Sequence, residues 1–372
     1  MNILFITNTL PPVVDGVGDY TLNLAREFAR HGHKVTVVCK RDDRVRTEYD
    51  DICVCPVVEA WNRRGATTVM QIIKERKTDV VSLQYVPHGF EPHGLPFGLI
   101  GFISEIKKTD VPVFTFCHEV YWRYRRFNLK FLSESLLMAY ISKQILRQSD
   151  DVATSISHYA NMIKELCGKA VAKIPIASNI PVEDIDSEEK AALKSKIAPN
   201  GEFIVAFIGK RDLSVVSKAI KLLIADGLRL KLLLIGKTNN LQDIDENHVY
   251  RTGILDISDL SKFVSVADCM VMPERQDAGC SFKSGSLAAA LSFGLPVITS
   301  KGIMTDEILQ DRWNILFVNP KSEGSYYEAI ASIVNDNLLI EEISHNAKAV
   351  GNMFTWQATY QRYMNIINEK DR

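Results

Sequence analysis

The sequence lacks the features that mark a nucleic-acid binder, a disulfide-stabilised secreted protein or a membrane-spanning protein. Its formal net charge is −1, whereas nucleic-acid binders usually carry a basic excess. Its seven cysteines include no C-x-x-C pair, which favours a reducing cytosol over a disulfide framework. Cys53 and Cys55 are two residues apart, but no second pair completes a zinc site, so we expect buried thiols. No apolar run reaches the ~18 residues that a membrane-spanning helix needs, and we expect a soluble, cytoplasmic protein.

The common nucleotide-binding motifs are also missing. No G-x-x-x-x-G-K-[ST] loop occurs, which excludes most phosphate-loop NTPases. A glycine loop follows the first predicted strand of each half, with Gly16 and Gly18 in one and Gly209 in the other. Neither loop completes G-x-G-x-x-G, and the second strand ends at Cys39 and Lys40 instead of the acidic residue of a dinucleotide site. A nicotinamide-dependent dehydrogenase is therefore disfavoured.

What the sequence does contain is an alternation of short β-branched runs with amphipathic helices, which is typical of parallel α/β sheets. The opening MNILFIT has no basic flank or cleavage site and predicts a first strand, not a signal peptide. Strands are predicted at 2–7, 34–39, 52–57, 79–84, 112–117 and 151–155, and then again at 202–210, 229–237, 268–273, 295–300 and 315–320. Helices are predicted at 19–32, 130–149 and around 213–226.

The restart of the strand series predicts two domains, as does the length of 372 residues, because single domains usually hold roughly 100–200 residues. The segment 174–189 contains two prolines and an acidic cluster, and we place the linker there. We therefore expect two tandem Rossmann-like doubly wound domains that face a cleft at the carboxyl ends of their strands.

One loop carries a possible anion site. In CSFKSGSLAAALSFGLPVITS, the residues Lys283, Ser284, Gly285 and Ser286 stand at the start of an alanine-rich helix. The first N–H groups of a helix are unpaired and carry partial positive charge, so they bind anions such as phosphate. The alternative is that Ser284 or Ser286 only caps the helix. The loop alone leaves both interpretations open.

Several segments, taken in order, resemble family 4 glycosyltransferases of the GT-B fold. They are LPPVVDGVGDYTLNLAREFARHGHKVTVV, DVVSLQYVPHGF, VPVFTFCHE, TGILDISDLSKFVSVADCMVMP with SGSLAAALSFGLPVITSKGIMTDEIL, and the terminal FTWQATYQRYMNIINEK. The resemblance implies an acceptor-side domain at 1–178, a nucleotide-sugar domain at 179–353, and a last helix, 354–372, that returns to the first domain. It also implies a nucleotide-diphospho-sugar donor, a glycan or lipid-linked acceptor, retention of anomeric configuration, and neither a metal nor a cofactor.

The chain departs from the family pattern at the donor site. The family usually carries two glutamates around the donor helix, and the corresponding positions hold Ser281 and Ala289. The usual arginine and lysine after the strand glycine are altered to Lys210 and Arg211, with Lys218 further along. These losses leave open a second hypothesis, a non-catalytic GT-B scaffold that acts as a binding or regulatory partner, and a third, a sugar-nucleotide epimerase.

The resemblance assigns roles residue by residue. His118 is the catalytic residue that contacts the donor sugar, and the donor-binding set is Gly16, Lys210, Arg211, Glu274, Lys283, Ser284, Gly285, Ser286 and Glu307. Tyr85, His88 and Arg123 are expected on the acceptor side. Each also has an ordinary alternative: a strand-end histidine, a turn glycine, a solvated cation or a turn acid.

Two further patterns bear on partners. Asp184 with Asp186, and Asp243 with Asp245, have D-x-D spacing, but the first pair fits a helix start and the second a polar loop, so we expect no metal. The segment 121–130 interleaves aromatic and basic residues, a composition that suits anionic lipid headgroups at the inner membrane surface. An anionic acceptor or a solvated face would explain it as well.

Overall fold

The computed structural model describes residues 1–13, 15–121, 129–183, 185–237, 241 and 243–368. It divides into two compact units, Met1–Pro175 with Trp356–Arg372, and Ile176–Thr355. The sequence-based boundaries, 178/179 and 353/354, lie a few residues from these divisions.

The first unit is built on an eight-stranded sheet. Its strands are β1 (Asn2–Ile6), β2 (Lys34–Lys40), β3 (Glu48–Tyr49), β4 (Ile52–Val58), β5 (Val80–Tyr85), β6 (Val113–Cys117), β7 (Asp151–Thr154) and β8 (Ala172–Lys173). Its helices are α1 (Gly16–Arg30), α2 (Arg63–Arg76), α3 (Pro87–Phe90), α4 (Phe97–Ile106), α5 (Leu129–Gln148), α6 (Ser157–Cys167) and the terminal α13 (Trp356–Asn368).

The strand order of this sheet is β3-β4-β2-β1-β5-β6-β7-β8, and all pairs are parallel except β3 with β4. Every residue of β5 and β6 is buried, as expected for apolar strands that helices cover on both faces. The winding reverses between β1 and β5. The carboxyl ends of these two strands thus form a topological switch point, where open α/β sheets bind ligands.

The terminal helix α13 packs on α1 within the first unit. The ring of Tyr360 stacks on that of His31 with 3.8 Å between centroids, and its hydroxyl lies 2.8 Å from Nε2 of His33. Tyr363 is fully buried, with its ring 4.9 Å from that of Phe114. The predicted return of the last helix to the first domain is confirmed.

The second unit is built on a six-stranded sheet of order β11-β10-β9-β12-β13-β14. Its strands are β9 (Phe203–Ile208), β10 (Leu230–Ile235), β11 (Val249–Gly253), β12 (Cys269–Met272), β13 (Val297–Thr299) and β14 (Leu316–Phe317), and its helices are α7 (Ser187–Ile197), α8 (Ser214–Ala225), α9 (Ile257–Ser265), α10 (Gly285–Phe293), α11 (Glu323–Asn335) and α12 (Asn337–Gly351). All strand pairs are parallel. The switch point of this sheet lies between β9 and β12.

The two doubly wound sheets confirm the fold class expected from the sequence. Each predicted strand has a counterpart in the structure, whereas β3, β8 and β11 were not predicted. The residues of β11 are only half-buried or exposed, so the strand lacks the apolar run by which the others are recognised.

Candidate functional site

A cavity of about 760 Å³ lies at the switch point of the second sheet. It is lined by the segments that follow β9, β12 and β14: Lys210, Arg211, Asp212, Val215, Val216, Pro273, Glu274, Arg275, Gln276, Asp277, Pro320, Lys321 and Tyr326. Because parallel strands deliver their carboxyl ends to one edge, residues distant in sequence meet there. The structure thus brings together three of the predicted donor-binding residues, Lys210, Arg211 and Glu274.

An ion pair crosses the switch point. Arg211, after β9, donates through NH1 to Oε1 of Glu274, after β12. The two side chains are 15% and 26% exposed, so this pair is screened by water less than a surface pair is. Arg275 pairs with Asp277 on the same loop at 3.2 Å. Lys210 and Lys321 add two exposed positive charges to the wall.

Tyr326 is a site residue that sequence reasoning missed. Its side chain is fully buried in the cavity wall, and its hydroxyl has no hydrogen-bond partner among the described residues. Burial, and then the nearby carboxylates of Glu274 and Asp212, raise its pKa to about 12. The hydroxyl is therefore protonated at neutral pH and can donate a hydrogen bond to a ligand. The signal was its place in the first turn of the helix after β14, the last parallel strand.

Asp212 is engaged in the backbone at the start of α8. Its Oδ1 accepts a hydrogen bond from Ser214 N at 3.0 Å, and this bond lowers the pKa of its carboxyl. Asp212 is therefore ionised at neutral pH and tied to its own loop.

The start of α10 lies outside this cavity lining. Ser284 is the N-cap residue, and its Oγ accepts from Leu287 N at 3.3 Å. Capping is therefore observed. Gly285 and Ser286 occupy the first turn, where N–H groups have no acceptor within the helix, and a side chain added at Gly285 would meet nothing within 4 Å. Lys283 is exposed beside them. The described cavity does not unite these residues with Lys210.

The positions of the missing glutamates are buried in the second unit. Ser281 is 4% exposed and Ala289 is fully buried in α10. Since neither serine nor alanine has a carboxylate, these two positions cannot replace the family glutamates. Glu307 is exposed in the segment after β13 and is not part of the described cavity lining. Its role toward the donor sugar stays a prediction.

In the first unit, the first turn of α1 requires glycine at position 18, because the loop that follows β1 lies against it. A Cβ there would lie 2.6 Å from the backbone oxygen of Thr9, whereas one at Gly16 would meet nothing within 4 Å. Asp15 caps α1 by accepting from Gly18 N at 2.8 Å. Gly16 is the first residue of the helix. Open space beside its backbone is compatible with close approach of a ligand, which is the predicted role.

His118 follows β6 and is 8% exposed. The rings of Tyr20 and Phe116 pack edge-on at 4.8 and 4.7 Å between centroids, and Nε2 lies 3.1 Å from Oε1 of Gln84. Burial lowers the pKa of the imidazole to about 3. His118 is therefore neutral near pH 7, which makes it a hydrogen-bonding group and not a cation.

The predicted acceptor-side residues have different fates. Tyr85 is fully buried, with its hydroxyl 3.0 Å from Oγ of Ser142. The end of β5 therefore places this side chain in the core, and its expected position on the acceptor side stays a prediction. His88 is half-buried in α3, and its ring fills the space beside Gly94, where a Cβ would lie 2.7 Å from it. Arg123 lies outside the described residues.

The D-x-D segments show ordinary backbone roles where they are described. Asp186 precedes α7, and Asp245 accepts from Asn247 N at 2.9 Å in a short turn. Asp184 lies outside the described residues. Within the described ranges, no group of three or more His, Cys, Asp or Glu could hold a metal ion. In the same ranges, every helix is too short or too polar to cross a membrane.

Comparison with known proteins gives the family. The model of glycosyltransferase family 4 matches residues 14–179, and that of glycosyl transferases group 1 matches residues 202–336. The chain therefore belongs to the family 4 glycosyltransferases.

One curated relative and several solved structures are similar to this chain. The capsular polysaccharide biosynthesis glycosyltransferase CapM of Staphylococcus aureus is 24% identical over 181 residues, which are 45% of this chain and 47% of that protein. The matched region thus spans about half of that relative. Sucrose-phosphate synthase from Thermosynechococcus elongatus superposes with a TM-score of 0.72 at 15% identity, over 100% of this chain and 99% of that one. Anabaena Alr3699/HepE in complex with UDP gives 0.71 at 14% identity, over 99% and 100%. These structures establish the GT-B fold.

Proposed function

We propose that this chain is a nucleotide-sugar-dependent hexosyltransferase that acts on a glycan or lipid-linked acceptor, with retention of configuration and without a bound metal. The observation that carries the proposal is the cation-lined cavity at the switch point of the second sheet in a family 4 chain. A structure of the similar HepE contains UDP-glucose, which supports a donor of that class.

The cavity offers the groups that a diphosphate needs. Arg211 is held by Glu274, and a guanidinium can bind phosphate oxygens bidentately. Lys210 and Lys321 supply point charges, and the hydroxyl of Tyr326 supplies a neutral donor. The first turn of α10, with Lys283, gives a second set of N–H groups that suits a phosphate.

The electrostatic task in the reaction is to stabilise the leaving diphosphate. The acceptor hydroxyl attacks the anomeric carbon on the face from which the diphosphate leaves, and the diphosphate takes the hydroxyl proton. Negative charge therefore grows on the phosphate oxygens, which fixed cations and N–H dipoles stabilise. His118 contacts the donor sugar as a neutral hydrogen-bonding group. With both family glutamates absent, Glu274 is the carboxylate that we assign to the donor sugar.

A lipid-linked acceptor is supported by the surface of α5. Leu132, Leu136 and Tyr140 follow one another at four-residue intervals, so they share a face of the helix, and they are 37%, 62% and 52% exposed. Arg63 and Arg64 line a neighbouring cavity with Tyr140. Exposed apolar residues next to cations suit an anionic lipid surface. The contact proposed for 121–130 lies mostly outside the described residues.

The test is turnover of a panel of nucleotide sugars with an acceptor-containing membrane extract, in the presence of a chelator. Release of a nucleoside diphosphate together with a glycosylated product whose anomeric configuration matches the donor supports the proposal. Binding without turnover supports the scaffold instead, and conversion of the nucleotide sugar without acceptor supports an epimerase. Lys210→Ala and Lys283→Ala should each reduce the rate by roughly 10²–10³, and normal turnover in both would reject the diphosphate assignment.

A further inference from the structure

Gln84 is a fully buried polar residue whose side-chain amide is not needed for the backbone pairing of its strand. It stands near the end of β5, the strand that pairs with β6, which leads into His118. Its Oε1 lies 3.1 Å from Nε2 of His118, and its Nε2 donates to Oγ of the buried Ser82 at 2.9 Å. The amide thus links the histidine to the strand.

These contacts determine where the imidazole carries its proton. An amide oxygen only accepts hydrogen bonds, so the ring nitrogen that faces Oε1 of Gln84 must carry hydrogen. A neutral imidazole has one such proton, and it is then on Nε2. The other nitrogen, Nδ1, keeps its lone pair and is the acceptor of the ring. Because the Ser82 hydroxyl can both accept and donate, a flipped Gln84 amide would reverse this assignment, and the ring protonation measured by NMR distinguishes the two orientations.

The surroundings keep the ring uncharged. Tyr20 of α1 packs against it, Cys117 precedes it in β6, and Tyr363 of α13 is buried nearby against Phe116. Burial raises the pKa of all three groups, so they are neutral at physiological pH. Glu119, the next residue in the chain, is half-buried, and burial of the imidazole is what lowers the pKa of His118.

We propose that Gln84 is a positioning residue that holds His118 in the tautomer protonated at Nε2, so that Nδ1 accepts a hydrogen bond from a hydroxyl of the donor sugar. The second half of this statement rests on the proposed function. The tautomer itself is a property of the ligand-free chain and can be measured without activity.

The first experiment is nitrogen-15 NMR of the histidine rings in the full chain, with the His118 signals assigned by their loss in His118→Asn. We expect a protonated Nε2 and an unprotonated Nδ1 that do not titrate between pH 5 and 8. A proton on Nδ1, or a ring that titrates in this range, would overturn the proposal.

The second experiment is Gln84→Glu. A carboxylic acid there would donate to Nε2, and a carboxylate that pairs with an imidazolium would add a second ring proton, so in both cases Nδ1 gains a proton and its NMR signal changes. A carboxylate that accepts from the neutral ring, as Gln84 does, would leave the tautomer unchanged. Where Nδ1 is protonated, we expect kcat to fall roughly tenfold, the equivalent of one lost hydrogen bond. Gln71→Glu makes the same change at an exposed position of α2 and should alter neither.

Gln84→Leu removes the acceptor and should populate both tautomers, which provides a second variant if Gln84→Glu does not fold. Unchanged His118 signals in folded Gln84→Leu would overturn the proposal. If the tautomer responds to Gln84 while the wild-type chain transfers no sugar, the positioning of His118 is supported and the proposed function is what fails.

Discussion

Tyr326→Phe should change stability and ligand affinity in opposite directions. The hydroxyl is buried without a partner among the described residues, and an unsatisfied buried polar group costs roughly 1–3 kcal/mol. Its removal leaves the ring in place, so the free energy of unfolding should stay level or rise by about 1 kcal/mol. A hydrogen bond from this hydroxyl to a charged diphosphate is worth roughly 1.5–3 kcal/mol. The Kd for the nucleotide should therefore increase roughly 10- to 150-fold.

The neighbouring residue of α11 provides the matched control. The hydroxyl of Tyr327 donates to Oδ2 of Asp226 at 2.7 Å in an exposed hydrogen bond, so Tyr327→Phe should lower the free energy of unfolding slightly and leave nucleotide affinity unchanged. Urea denaturation measures the first quantity and calorimetric titration the second. If Tyr326→Phe destabilises the chain while affinity is unchanged, the hydroxyl has a structural partner and the reasoning is refuted.

Three further predictions concern the first unit. Gly18→Ala should lower the free energy of unfolding by roughly 1–3 kcal/mol because the new methyl group collides with a backbone oxygen. Gly16→Ala, the control, should leave the free energy of unfolding unchanged, and equal denaturation midpoints of the two variants would contradict this. Below pH 6.5 the imidazole of His118 is protonated in the unfolded chain but stays neutral in the folded chain, where burial lowers its pKa. The free energy of unfolding of the wild type relative to His118→Asn should therefore fall by about 1.4 kcal/mol per pH unit as pH decreases toward 3. Parallel pH curves for the two proteins would show that folding does not lower the pKa of the ring. Leu136→Glu should weaken flotation with vesicles of phosphatidylcholine and phosphatidylglycerol, whereas Leu338→Glu, at a 79% exposed position of α12, should not; absence of wild-type binding would reject the lipid contact.

The sequence predicts most of the fold because the apolar strands are buried on both faces and stand out as continuous runs. It misses β3 and β8, which are two residues long, and β11, which is half-exposed. Such strands are stabilised by their pairing partners and not by their own composition.

The site is predicted less completely. Lys210, Arg211 and Glu274 could be chosen because each follows a parallel strand. Gln84 could not, since its role depends on which side chains meet it across the sheet, and Tyr326 was marked only by its place in the first turn of the helix after β14. Tyr85 shows the converse, because nothing in DVVSLQYVPHGF reveals that its hydroxyl reaches Ser142 and that its ring lies in the core.

The most direct test is calorimetric titration of the full chain with a panel of nucleoside diphosphates, comparing the wild type with a variant that carries both Lys210→Ala and Arg211→Met. Binding at the switch point of the second sheet predicts a micromolar Kd for one nucleotide, and removal of two phosphate-binding cations should weaken it at least a hundredfold. No detectable binding of any nucleoside diphosphate in the panel, or equal affinity in the wild type and the variant, would contradict the account.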